Sequence, residues 1–184
     1  MNLQKFMNEN LYKIKSRKIN IIRDNRGFFF EIYNTNAFPR LTNPFVQNNI
    51  SYSKKNVIRG LHYQKKHKQS QLVTVLKGAI NYVVADIMPN STFFKKYKIF
   101  KLSHTKKNQI FVPGGFANGF EVISEDVLIH YNVDRNYNKS DDFGILFKDE
   151  TLNINWTIKK PIMSKKDKKL PLLKNIKMKN LPVF

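Results

Sequence analysis

The sequence predicts an all-β domain of the jelly-roll or barrel kind, and three observations carry that prediction. From residue 18 to residue 147 the chain is a succession of short β-rich runs: "KINII", "GFFFEIY", "FVQNNISYS", "NVIRGLHY", "LVTVL", "AINYVVADI", "KYKIFKLS", "NQIFVP", "GFEVI", "VLIHYNV" and "FGILF". Turn-forming residues separate them, among them Pro39, Pro44, Gly78, the "PNS" at 89–91 and the "PGG" at 113–115. No repeat or low-complexity linker divides the chain, and 184 residues suit one sizeable core better than two. Many short strands at this spacing build a sandwich, a barrel or the closely related jelly roll.

Ahead of these runs, Leu3, Phe6, Met7 and Leu11 recur at helical spacing, so a short amphipathic helix is expected there. The barrel itself is expected over about 18–150. Residues 151–184, with Trp156, Pro161 and Pro171, read as an irregular wrap that ends in a basic tail, and the whole of 1–184 as a single domain. Strand parity in "VQNNISY" places Gln47, Asn49 and Ser51 on one face and Val46, Asn48, Ile50 and Tyr52 on the other. Taken alone, a wholly polar face meets water; the competing reading has it line the inside of a barrel.

Lys and Arg number 33 against 13 Asp and Glu, a formal net charge of +20. Such a charge draws polyanions, nucleic acids and phosphorylated metabolites alike, and speeds their encounter. Between Lys159 and Lys179 stand nine lysines and one acid, Asp167. Base-reading surfaces rely on arginine forks or aromatic platforms, and this stretch has neither, so a solvated lysine-rich tail is expected rather than a nucleic-acid arm. The chain has no cysteine, no apolar stretch of membrane-spanning length and no leader-like N-terminus. A soluble cytoplasmic protein with no membrane partner is the expectation.

"GLHYQ" early and "PGGFANG" late resemble the motifs of cupin barrels, whose metal is held by His, His, Glu and a later His. Only His62 survives of that set: Gln64, Gln71 and Asn118 occupy the other three places. Amides are poor ligands for first-row transition metals, and one imidazole does not hold Zn²⁺ or Fe²⁺ against water. A metal-free pocket is therefore expected, with His67, His104 and His130 as surface or strand residues. Inside such a barrel His62 is either a satisfied core histidine or a general base, and its position alone leaves both open.

"KKNVIRGLHYQ" (54–64), "DNRGFFFEIYN" (24–34), "FVQNNIS" (45–51), "STF" (91–93), "QIFVPGGFANGF" (109–120) and "MSKKD" (163–167) together resemble, in order, the signatures of the dTDP-4-dehydrorhamnose 3,5-epimerase family. The resemblance runs from about residue 18 to residue 175. It implies a metal-free cupin without cofactor, a homodimer that exchanges N-terminal strands, and a nucleotide-linked 4-keto sugar as partner. By the same resemblance His62 is the base, Asp167 the acid that orients it, and Tyr131 the proton donor on the far face of the sugar. Arg59 is then a substrate contact, as are Arg26, Phe28, Glu31, Gln47 and Asn49, and Tyr137 packs on the nucleotide base. The residue-level alternatives are a core tyrosine at 131, whose parity it shares with Val127, Ile129 and Val133, and, at 167, an acid that merely relieves a lysine cluster.

The chemistry sets its own demands. A proton on the carbon beside a ketone lies about a dozen pK units beyond an imidazole, at about 1.36 kcal/mol per unit. The site must supply a base within hydrogen-bond reach, donors to the enolate oxygen and an acid on the opposite face. In a regular strand Arg59 and His62 point to opposite faces, so a bulge at Gly60 is expected to bring both inward. Two positions depart from the family: Gln71 stands where a Lys is common and Asn118 where a His is common, and both are placed by resemblance near the sugar carbonyl. The expected function is therefore epimerisation at C3, or C3 and C5, of a 4-keto-6-deoxy sugar or heptose for surface polysaccharide such as capsule or lipopolysaccharide. A catalytically silent sugar-nucleotide-binding cupin and a basic nucleic-acid binder are the alternatives.

Overall fold

The computed structural model describes residues 14, 16–37 and 43–183. Twelve strands run in the order β1 (Ser16–Lys18), β2 (Ile21–Asp24), β3 (Gly27–Phe30), β4 (Gln47–Lys54), β5 (Ile58–Gln64), β6 (Gln71–Lys77), β7 (Ala79–Ala85), β8 (Tyr97–Ser103), β9 (Asn108–Val112), β10 (Ala117–Val122), β11 (Asp126–Val133) and β12 (Asp142–Gly144). The only helical elements among the described residues are short 3₁₀ turns. Two five-stranded antiparallel sheets form, ordered β1-β9-β6-β11-β4 and β12-β5-β10-β7-β8, and β2 and β3 pair as a separate hairpin. This is a jelly-roll barrel, one of the architectures the strand pattern predicts, and it is the cupin type that the motif resemblance implies.

The alternation within β7 shows how the layers pack. Ile80, Tyr82 and Val84 point between the two sheets and join Val73, Ile110, Phe120 and Ile129 in the main core. Val83 and Ala85 point the other way and meet Leu152, Trp156, Leu173 and Leu181 of the C-terminal segment. A strand buried on both faces reads as a near-continuous apolar run, as "AINYVVADI" does. The wrap over 151–184 is therefore anchored through its leucines and not simply solvated: Leu173 and Leu181 are buried, and Lys166 and Lys174 pair with Asp142 and Glu150. The expectation of a solvated basic tail is corrected to that extent, because apolar residues spaced between the lysines hold the segment down.

Three boundaries also differ from the sequence reading. "KINII" is broken at Ile19–Asn20 into β1 and β2, β3 stops at Phe30, and only the first part of "FGILF" is strand. The amphipathic helix expected around Leu3–Leu11 lies outside the described residues. Parity in β4 resolves against the solvent-facing reading. Ser51 lines the internal cavity and Gln47 and Asn49 are half-buried, while Val46, Ile50 and Tyr52 are the exposed face.

Candidate active site

The β5 strand supplies both the candidate base and the candidate cation, and its irregularity makes that possible. Asn118 of β10 pairs with His62, but Phe120 pairs with Arg59, so three residue steps on β5 oppose two on β10. The extra residue is accommodated at Gly60, where φ is +96° and the peptide to Leu61 is cis. A Cβ at Gly60 would come within 2.7 Å of the Asn118 carbonyl oxygen, so no other residue fits. With this bulge Arg59 and His62 both line one cavity of about 570 Å³.

His62 Nε2 lies 3.1 Å from Asp167 Oδ1, and the Asp167 carboxylate also accepts the Gly60 N–H at 3.2 Å. The backbone N–H of Asp167 donates to Ser164 Oγ, which fixes the start of the short turn that carries it. On the other side of the ring, Asp142 Oδ1 is 3.6 Å from Nδ1, too long for a hydrogen bond but close enough for its charge to act. Asp142 Oδ2 accepts the Tyr137 hydroxyl at 2.6 Å and pairs with the Lys166 ammonium. Asp142 reaches this place because β12 pairs with β5, setting Gly144 opposite His62.

These contacts decide the protonation states. Burial works against a charged His62, but Asp142 and Asp167 outweigh it and push the imidazole up to about 9. Burial would raise the Asp142 carboxyl, yet His62, Lys166 and Tyr137 hold it well below the ordinary carboxylate range. Asp167 is likewise held down, chiefly by His62, against the effect of its own burial. The hydrogen bond to Asp142 pushes the Tyr137 phenol up to about 12. Burial raises Tyr131, and the Arg59 charge acts in the opposite direction.

Around the same cavity stand Gln71 of β6, Asn118 of β10 and Tyr131 of β11. Arg59 is fixed there by Ser53 Oγ at 2.9 Å and the Tyr52 carbonyl at 3.0 Å. Tyr137 completes the lining, and its backbone N–H donates to Gln47, which in turn bonds Asn49. Gln47 and Asn49 thus reach the edge of the cavity only through Tyr137. Arg26, Phe28 and Glu31 belong to the β2–β3 hairpin or the chain just after it, and none of them lines this chain's cavity. Arg26 pairs with Asp24 at 2.6 Å, and the exposed Phe28 ring lies 4.3 Å under the Lys107 ammonium. His67 binds Asp141, His104 bonds Gly78, and His130 has its Nδ1 buried. Among the described residues no group of three or more His, Cys, Asp or Glu side chains is placed to hold a metal ion.

Sequence reasoning missed Asp142, Lys166 and Tyr82. Of the neighbours in "SDDFG", Asp141 caps the Lys66 and His67 amides while Asp142 enters the site, and nothing in spacing or parity separates the two. Lys166 is one lysine among many. Tyr82 shares parity with Ile80 and Val84 and so reads as core, which it also is.

A jelly-roll barrel that encloses a carboxylate-paired imidazole, with a phenol and a guanidinium about the same cavity, defines an enzyme of the proton-transferring cupin class. Residues 9–175 match the family described as dTDP-4-dehydrorhamnose 3,5-epimerase, and the chain belongs to that family of isomerases. The dTDP-4-dehydrorhamnose 3,5-epimerase of Escherichia coli strain K12 is 40% identical over 155 residues, 82% of this chain and 84% of that protein. The crystal structure of dTDP-6-deoxy-D-glucose-3,5-epimerase from Legionella pneumophila with dTDP-4-keto-L-rhamnose superposes with a TM-score of 0.90 at 35% identity, covering 95% of each chain. The Bacillus anthracis enzyme with TDP and PPi bound gives 0.83 at 40% identity, covering 89% of this chain and 95% of that one. No helix among the described residues is long and apolar enough to cross a membrane.

Proposed function

We propose that the protein epimerises C3, or C3 and C5, of a nucleotide-linked 4-keto-6-deoxy sugar or heptose, with His62 as the base. The observation that carries this reading is the His62–Asp167 pair at 3.1 Å inside the cavity. Nε2 is paired with Asp167, and Nδ1 is buried beside Asp142 without a hydrogen bond, so the two carboxylates hold the ring in the cavity wall from both sides. Proton transfer to the His62 imidazole breaks the C3–H bond and sends its electron pair to the carbonyl oxygen as an enolate, which Arg59, Gln71 and Asn118 are arranged to meet. Tyr131 belongs to the opposite sheet from His62 and fits the role of returning a proton to the far face.

A base must be neutral, and two carboxylates favour the charged ring. In the free protein the neutral, base form of the ring therefore grows as pH rises toward about 9. The chain's net charge of +20 favours the encounter with an anionic nucleotide-linked sugar. Ile22, Phe28, Phe29, Val46, Ile50 and Tyr52 form exposed apolar surface on the hairpin and β4, which supports a homodimer in which Arg26, Phe28 and Glu31 enter the partner's cavity. Work on cytoplasmic precursors of surface polysaccharide, capsule or lipopolysaccharide, follows from that substrate class. Incubation in D₂O with 4-keto sugars on dTDP, GDP, CDP and UDP tests the reading. Deuterium at C3 on at least one of them is the expected result, and binding without any exchange would leave a silent nucleotide-sugar receptor instead.

A further inference from the structure

Tyr82 takes part in none of these steps, yet it belongs to the lining of the reaction cavity, and its hydroxyl reaches two other residues of that lining. It lies 2.9 Å from Asn118 Oδ1 and 3.4 Å from Gln71 Oε1. A phenol has one proton to give, and the shorter contact takes it. Burial, with Tyr131 nearby, pushes the Tyr82 phenol far up, so it remains a donor at every working pH. An amide whose oxygen is held on one side presents its nitrogen on the other. Among the described residues neither Asn118 Nδ2 nor Gln71 Nε2 has a protein partner, and neither is sealed from water, so both open on the cavity.

Asn118 is also the residue directly opposite His62 in the β5–β10 ladder. Directly opposed residues project from the same face with Cβ atoms about 4.5–5.5 Å apart. A carbonyl oxygen is two bonds from the carbon beside its own. A substrate whose C–H meets the imidazole therefore offers its oxygen to a group standing next to that imidazole.

We propose that Tyr82 is a positioning residue for the epimerisation: by fixing Asn118 it holds an amide N–H toward the oxygen that becomes the enolate. The inference rests on the epimerase reading above. The proton leaves C3 for His62, the electron pair settles on the carbonyl oxygen, and that oxygen accepts from the Asn118 N–H, in the cavity that Arg59 also lines, until reprotonation returns the pair to carbon. Without the Tyr82 hydroxyl, Asn118 is free to turn its own oxygen toward the growing negative charge, which replaces attraction by repulsion.

The test is C3 deuterium exchange in D₂O at saturating dTDP-linked 4-keto-6-deoxyhexose, for the wild type, Tyr82→Phe and Asn118→Asp. Tyr82→Phe is expected to lower kcat about 10-fold, with KM, the pH profile and the melting temperature close to wild type. Asn118→Asp keeps an acceptor for Tyr82 but has no amide N–H, and is expected to lose about 10²–10³-fold in kcat on the high-pH plateau, as removal of an oxyanion donor does. Tyr82→Phe with kcat within about twofold of wild type, or slowed only through a raised KM or a lowered melting temperature, overturns the inference. Should Tyr82→Phe fail to fold, Asn118→Asp decides alone, and retained exchange in it is the contrary result. Absence of exchange in the wild type would bring down the epimerase reading first and this inference with it.

Discussion

The side of the cavity built by β5, β12 and the C-terminal wrap carries His62, Asp142, Lys166 and Asp167, all charged or titrating in the working range. The side built by β6, β7 and β10 carries Gln71, Tyr82 and Asn118, which are neutral throughout. The difference follows from what each side has to do. Moving a proton off carbon requires a group whose affinity for protons can be changed, and two carboxylates around one ring give it that range. Receiving an oxyanion requires donors already in place, and a phenol locked to an amide supplies them without any change of charge.

Breaking the charged side costs most. Asp167→Asn removes the carboxylate that orients the ring, and exchange at C3 is expected to slow by about 10²–10³-fold with little change in KM, as measured by saturation kinetics in D₂O. Recharging the neutral side costs less. Gln71→Lys gives the enolate a charge-assisted donor but adds an ammonium to a cavity that the Arg59 guanidinium also lines, and the expected change in kcat is under about 10-fold. A much larger gain would mean that charge, not positioning, limits this wall.

The pH dependence sharpens the contrast further. Catalysis needs neutral His62, whose pKa in the free protein is about 9, so kcat/KM should climb with pH and level off above that value. Asp142→Asn removes one of the two supports, and the rising limb should move down toward the ordinary imidazole value of 6.5. Tyr82→Phe should leave that limb where it is. The smallest effect is on stability. Because the folded pKa of His62 is raised, its contribution to folding is fully present below about 6.5 and is lost as pH rises through about 9. The side chain is 32% exposed, so solvent screening keeps this small, and a slight fall in melting temperature over that window should be absent in His62→Asn.

Alternation and turn residues made the barrel legible, because period-two patterning and Gly/Pro punctuation are local properties. The bulge at Gly60 was legible too, since Arg59 and His62 could not share a face without it. The His62–Asp167 pairing was visible only through resemblance, because no local rule brings a strand histidine to a carboxylate from the C-terminal wrap. Asp142 and Tyr82 were hidden for different reasons. The first depends on which of two adjacent acids β12 turns inward, and the second is a core residue whose hydroxyl reaches Asn118 and Gln71. The placing of Arg26, Phe28 and Glu31 outside this chain's cavity could not be read from their positions, since strand parity does not fix where a hairpin lies against the barrel.

The account stands or falls with the proton that His62 removes from carbon. Deuterium appearance at C3 of a dTDP-linked 4-keto-6-deoxyhexose, followed side by side for the wild type and a folded, ligand-binding His62→Asn, measures that step directly. The wild type should incorporate deuterium and the variant none. Incorporation by the variant at a rate near wild type would show that some other group is the base.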